Sequence, residues 1–383
     1  MEKKKTVTMI GPVVWGSVWG HGPELARYLS GHAAVLYFNP LVPKKAAAPS
    51  FRGRDAYPVP EGIKIIERRS RFSTGILYGL QMEWKNLLAA VRSDPDCLVT
   101  YYPLGSIMAL LWCRLKGKRS LFVFADFPDI LGHRLARLLA RNFGLWATAR
   151  LATAGTVATS GLLFEDLLEI SGRAILVPNG VDLEALSVSG VTGSGKPAAR
   201  AADTFTAGFI GFFGDWVDMK LLFDCARLCP EIKFVLVGDG PDLDKLKTRT
   251  ASQNNLEFTG LLPHNEVFQA VARMDLCLIP FKVNQVTDRV SPVKLFEYWA
   301  MGKPVLATGC RELRRIAESA PQALTFFSSA EELAGLLEIF RRDPQRIAKA
   351  SAEALQAVRS YDWKLLGAEI LSFLEGEAPE KLL

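Results

Sequence analysis

FTAGFIGFFGDWVDMKLLFDCARLCPEIKFVLVGDGP, residues 205–241, carries the architecture in miniature. Ala207–Ile210 is a short apolar run that stops at Gly211. Met219–Leu228 has helical spacing and stops before Pro230, and Lys233–Val237 is a second apolar run, closed by Gly238. Short apolar runs ended by glycine and separated by a helix predict parallel strands covered on both faces. Downstream the pattern repeats, with strand Leu256–Thr259 before Gly260, helix Glu266–Met274, strand Leu276–Pro280, helix Ser291–Met301 and strand Pro304–Thr308. Ser291 is placed to cap its helix, Pro292 suits the first turn, and Gly302 suits the end.

Upstream the alternation is the same. Val7–Ile10 stops at Gly11-Pro12 and a helical pattern follows over Pro23–Leu29. Ala34–Phe38, Cys97–Thr100, Leu121–Phe124, Thr156–Thr159 and Ala174–Val177 are further strands. Between the two series lies Ser187–Asp203, SVSGVTGSGKPAARAAD, which has linker composition. The predicted fold class is therefore α/β, with two doubly wound Rossmann-like domains facing across a cleft. Residues 1–186 form the first, 187–203 the linker and 204–360 the second; a final helix and tail, 361–383, can pack back on the first. A chain of 383 residues suits two domains.

Composition narrows the class. The chain is 49% hydrophobic and 22% charged, as ordinary globular proteins are. Its most apolar stretch, Leu104–Cys113, is about half the roughly 20 residues of a membrane span. The basic start, Met1–Lys5, leads into one short strand, so no secretory leader is expected. Six cysteines without a C-x-x-C pair and four scattered histidines predict a reducing compartment and no metal site. The net charge of +6 is uneven: residues 1–182 hold 23 Lys and Arg against 14 Asp and Glu. Anionic partners are expected for that half. With no basic–aromatic nucleic-acid motif, membrane lipid or a phosphorylated substrate is favoured over nucleic acid.

Several segments carry chemistry. In Arg289-Val-Ser-Pro-Val-Lys294-Leu-Phe-Glu297, Lys294 and Glu297 are three apart and share a helix face near its N-terminus. There Lys294 can hold a phosphate and Glu297 can accept from the vicinal hydroxyls of a ribose. The plainer reading is an i,i+3 ion pair on a packed helix. Gly211 and Gly214 in one turn, and Gly238 and Gly240 in the other, can bring backbone N–H groups to a ligand at the strand ends. In the first half, Gly11-Pro-Val-Val-Trp15-Gly16-Ser-Val-Trp19-Gly20-His21 offers glycines for close approach and tryptophans to stack on a sugar, or else to fill the core. Asp126, just past Leu121–Phe124, can act as general base toward an acceptor hydroxyl; Asp129 suits a helix cap. His133–Arg150 interleaves Arg134, Arg137, Arg141 and Arg150 with Phe143 and Trp146, either a membrane-surface element or a packed helix with a solvated Arg face. Gly190–Lys196 mimics a P-loop, but Pro197 stands where the hydroxyl residue belongs, so a linker is expected.

Together with Val177-Pro-Asn-Gly-Val-Asp182, Phe258-Thr-Gly260, Met274–Pro280 and Lys294–Val305, these residues resemble the GT-B glycosyltransferases, in particular the family-4-like bacterial enzymes that build polysaccharides and glycolipids. The resemblance covers most of the chain. It implies a nucleotide-sugar, probably of the UDP type, held by Gly211, Gly214, Gly238, Gly240, Arg289, Ser291, Lys294 and Glu297. It implies a lipid-linked or polysaccharide acceptor at Trp15, Gly16, Trp19 and His21, with Asp126 catalytic, no cofactor and no metal. A cytoplasmic place at the inner membrane face would follow. Glu297 matches the second acid of the family's E-x7-E pattern, while Arg289 occupies the place of the first. Asp215, Trp216 and Asp218 stand where the family's Arg and Lys are usual. These features look like a subgroup near teichuronic-acid and xanthan glucuronosyl-type transferases, in which Lys294 would serve the phosphates. The alternatives are a nucleotide-sugar epimerase on the same fold and a non-catalytic relative. A dinucleotide dehydrogenase is disfavoured, because neither glycine turn fits G-x-G-x-x-G.

Overall fold

A computed structural model describes residues 4–16, 20–43, 59–73, 75–125, 143–188, 204–241 and 243–377, the side chains at 264 and 265 excepted. The chain forms two compact units, Met1–Asn179 with Trp363–Leu383, and Gly180–Asp362.

The first unit contains β1 (Thr6–Ile10), β2 (Ala34–Phe38), β3 (Val42–Pro43), β4 (Ile63–Ile66), β5 (Arg69–Ser70), β6 (Cys97–Thr100), β7 (Arg119–Phe124), β8 (Gly155–Ala158) and β9 (Ala174–Leu176). Seven form one sheet in the order β4-β2-β1-β6-β7-β8-β9, every neighbouring pair parallel. In the second unit β10 (Thr206–Ile210), β11 (Lys233–Val237), β12 (Leu256–Gly260), β13 (Leu276–Ile279), β14 (Val305–Thr308) and β15 (Leu324–Phe327) run β12-β11-β10-β13-β14-β15, again all parallel. Central strands such as β6, β8, β13 and β14 are buried at every residue, which is why they carry no charged side chain and show no polar alternation. In each sheet the order reverses beside the first strand, between β1 and β6 and between β10 and β13. Ligand crevices of such sheets open there, beyond the carboxyl ends of the strands.

The division between the units departs from the sequence boundary at 186/187. Val181 and Leu186 lie in the second unit's core, and the Val181 N–H donates to the Tyr361 carbonyl at 3.0 Å. Ser187 and Val188 end the helix Leu183–Val188; the rest of the linker, with Gly190–Pro197, lies outside the described residues. The last helix begins at Trp363, not Tyr361, because Tyr361 stacks on Phe296 of the second unit at 4.4 Å between ring centres.

The helix Trp363–Glu375 joins the first unit's core through Trp363, Leu366, Ile370, Phe373 and Leu374. Gly367 is its point of closest approach, because a Cβ there would overlap the Tyr28 ring. Gly367→Ala is expected to destabilise the first unit by about 1–3 kcal/mol through overpacking, despite the better helix propensity of alanine. Denaturant unfolding followed by circular dichroism checks this; an unchanged midpoint would show that the helix docks loosely.

Among the described residues no helix is long and apolar enough to cross a membrane.

Candidate functional site

The second unit's crevice begins where two strands part. β10 pairs with β13 only at Ala207 and Gly208, and beyond them the Ile210 N–H donates to the hydroxyl of Tyr298 at 2.8 Å. Tyr298 is fully buried and belongs to the helix Val293–Ala300, which follows β13. One side chain thus satisfies the strand's last donor and sets the helix start beside the turn after β10. The helix begins at Val293 with Pro292 in the cap position, so buried Ser291 does not cap it, contrary to the sequence reading. A proline residue has no side-chain acceptor, so Pro292 makes no side-chain cap bond.

Two glycine turns interlock at the strand ends. Gly211 has φ +136° and Gly238 φ +140°, both left to glycine. A Cβ at Gly238 would overlap the Gly211 carbonyl oxygen, and one at Gly211 would stand 2.5 Å from Lys294 Nζ. The Gly211 N–H donates to Val237 at 2.9 Å and the Phe213 N–H to Asp239 at 2.8 Å. Gly240 admits the Phe213 carbonyl and Gly214 admits the Trp216 ring. These four glycines therefore serve first to let backbone and side chains of the protein itself close on one another.

Lys294 lies in the middle of this arrangement. Its Nζ sits over the Phe209 ring at 4.1 Å from the centre and near Phe281 at 5.5 Å. Loss of hydration lowers its pKa to about 7, against the pull of the Glu297 charge, and burial raises Glu297 to about 7 against the pull of Lys294. Among the described residues neither side-chain charge has a hydrogen-bonding or ion-pair partner, so the surface ion pair of the plainer reading does not form. A partly buried cation and carboxylate, one helical turn apart and both unpaired, are poised for an anion and a polyol.

The neighbouring residues take defined parts. Arg289 closes a short turn, Thr287–Arg289, and its Nη1 donates to the Gln285 carbonyl at 3.0 Å. Asp218 caps the helix Met219–Leu228 by accepting from the Leu221 N–H at 3.0 Å. Asp182 does the same service for Ala185 at 2.8 Å. Phe212 and Trp216, both exposed, stack on each other at 5.8 Å beside Gly211. Sequence reading passed over this pair, whose signal was two aromatics flanking a tight glycine turn.

The first unit alters the reading of its loop. Trp15 is 6% exposed, lies edge-on to Tyr37 at 5.1 Å, and donates its backbone N–H to Asn39 Oδ1 at 2.8 Å. It is a core residue, so the sugar stacking expected of it is not available. Gly16 has φ +79° and is buried, and Trp19 lies outside the described residues. His21 is 5% exposed, with Nδ1 3.0 Å from the Tyr101 hydroxyl and the ring edge-on to Trp363 at 5.0 Å. Burial pushes its pKa down to about 3, so it is neutral. Asp126 and Asp129 lie outside the described residues, as does most of His133–Arg150; Phe143 and Trp146 are exposed.

Comparison with known proteins bears on both units. Residues 205–356 match the family model described as glycosyl transferases group 1. TuaH of Bacillus subtilis (strain 168), named for teichuronic acid biosynthesis and glycosyl transfer, is 24% identical over 207 residues, 51% of this chain and 49% of its own. The chain spans about half the length of the curated relatives it matches. HepE of Anabaena, solved in complex with UDP and glucose, superposes with a TM-score of 0.67 at 16% identity, over 97% of this chain and 100% of that one. Sucrose-phosphate synthase from Thermosynechococcus elongatus gives 0.70 at 15% identity, over 97% and 98%. The fold shared with these structures is the expected one.

Proposed function

We propose that this chain, a GT-B protein whose residues 205–356 are a glycosyl transferase group 1 domain, moves a sugar from a UDP-sugar to a lipid-linked or polysaccharide acceptor in cell-envelope or exopolysaccharide synthesis. The observation that carries the reading is the unpaired Lys294–Glu297 couple at the strand parting. Lys294 holds the diphosphate and stabilises the charge that grows on it as the glycosidic bond breaks, a task that needs no metal. Glu297 accepts from the ribose hydroxyls, and Ser291 and the turns at Gly211, Gly214, Gly238 and Gly240 complete the donor side. The acceptor hydroxyl forms the new bond to the anomeric carbon and gives its proton to a carboxylate, the part assigned to Asp126, while the nucleoside diphosphate leaves. The acceptor side is assigned to the loop of Gly16, Trp19 and His21. The enzyme works in the cytoplasm against the inner face of the membrane, in contact with anionic lipid. HepE, a protein of the same fold, has been solved with UDP and with UDP-glucose, which supports UDP as the nucleotide.

A thermal-shift panel of UDP-, GDP- and dTDP-sugars tests this, because a ligand of the folded state raises the melting temperature by mass action. UDP-sugars should give the largest shift; none from any nucleotide-sugar would overturn the reading.

Arg289 bears on which sugar is moved. Its guanidinium has five donors in a fixed fork, a match for a carboxylate. A uronic acid donor fits it. Arg289→Ala should then lower kcat/KM for UDP-glucuronate by about 1.5–3 kcal/mol, roughly ten- to a hundredfold, and leave UDP-glucose nearly unaffected. A wild-type preference for the neutral sugar, or equal loss of both donors, would exclude the acidic-sugar role.

A further inference from the structure

The helix Gly75–Ser93 buries Tyr78, Met82, Ala89 and Ala90 in the first unit. The opposite face of such a helix should be polar. Here Ile76, Leu77, Leu80 and Trp84 are exposed by 71%, 57%, 62% and 54% and form one stripe along the first three turns. The helix Ile107–Leu115 repeats the arrangement, with Ala109, Leu110 and Cys113 inside and Met108, Leu111 and Leu115 outside. Glu83 ties the two helices together: its carboxylate accepts from the N–H groups of Gly105 at 2.6 Å and Met108 at 3.0 Å. A third helix, Leu145–Leu151, adds exposed Trp146 and is joined by Arg114 donating to the Arg150 carbonyl at 3.1 Å.

The charges within these three helices are almost all positive. Glu83 is the single acid in the three helices, and its carboxylate is occupied by the start of the second. Arg92, Arg114, Lys116 and Arg150 are exposed around the apolar stripes. So many exposed apolar residues on three helices packed side by side are unusual on a protein that stays free in water. Apolar stripes carrying a tryptophan and flanked by more Arg and Lys than acids, with exposed Asp94 at the end of the first helix already paired to Lys118 at 3.0 Å, match a lipid interface whose headgroups are anionic.

We propose that this three-helix face seats the first unit on an anionic bilayer, with Ile76, Leu77, Leu80, Trp84, Leu111 and Leu115 entering the interface. It gives a place on the molecule to the membrane contact in the functional reading above, and rests on that reading only for the biological setting. Such a seat would deliver the first unit to a lipid-borne acceptor.

The test is co-sedimentation of the full chain with vesicles of phosphatidylcholine alone, or with one part in three phosphatidylglycerol. The double variant Leu80→Glu/Trp84→Glu changes two exposed side chains, and Ile339→Glu, on an exposed position of the second unit, is the control. Wild type and control should pellet with anionic vesicles and release at high salt; the double variant should partition at least about tenfold less. Wild type left in the supernatant with both vesicle types, or a double variant that binds like wild type, overturns the proposal. A dimer in vesicle-free sedimentation velocity, lost in the double variant and without vesicle binding, overturns it in favour of a second copy of the chain. A UDP thermal shift read on the same preparations separates the outcomes: a normal shift without vesicle binding removes the membrane seat and leaves the transferase reading standing.

Discussion

Lys294→Met is expected to weaken UDP binding by about 2–5 kcal/mol, the scale on which removing one partner of a desolvated charge pair is felt. The ammonium sits against two aromatic rings and the glycine turn after β10, where hydration is poor and the charge correspondingly effective. Uridine, which lacks the phosphates, should bind both proteins alike. UDP affinity unchanged by calorimetry would take Lys294 out of the site. The pH dependence has a definite sign. The free lysine's lowered pKa, about 7, leaves part of it neutral at higher pH, whereas a bound diphosphate favours the protonated form. Binding should therefore take up protons above neutrality, and affinity should fall as pH rises through that range. Glu297, raised to about 7 by burial, acts in the opposite direction below neutrality: a carboxylate that accepts from hydroxyls must first lose its proton. Calorimetry in buffers of different ionisation enthalpy reads both, and the uptake on the alkaline side should vanish in Lys294→Met.

Glu297→Ala should cost UDP binding about 1–3 kcal/mol, as lost hydrogen bonds to a charged group do. The ligand can be altered as well as the protein. Wild type should bind deoxy-UDP more weakly than UDP, because one ribose hydroxyl is gone. Glu297→Ala should hardly distinguish them. Equal discrimination by both proteins would place the ribose elsewhere and leave Glu297 as a structural residue of its helix.

Much of the donor-side architecture was legible because the physics there is local. Strand, glycine turn and helix around Ala207–Gly211 and Lys233–Gly238 follow from periodicity and from the left-handed backbone that Gly211 and Gly238 adopt. The shared face of Lys294 and Glu297 follows from helical spacing alone. What surrounds them was not legible. Tyr298 reaching Ile210, and Phe209 and Phe281 beneath Lys294, are contacts between segments up to about ninety residues apart.

The first unit shows the reverse situation. Its tryptophan loop looked like a binding element because aromatics beside glycines suit both a sugar face and a core. Only the position of Tyr37, on the neighbouring strand, decided that Trp15 is inside. Exposed apolar residues on Gly75–Ser93 are invisible in a pattern hydrophobic around most of the helix, since sequence does not say which side meets the sheet.

The sequence by itself determined the two doubly wound units and the helix that pairs Lys294 with Glu297, since periodicity, glycine and proline act over a few residues. Tertiary structure alone decided that this pair stays unpaired among the described residues, that Trp15 is core, that Ser291 does not cap, and that three helices turn an apolar face outward. Burial and charge pairing are properties of neighbours in space, and those neighbours come from distant parts of the chain.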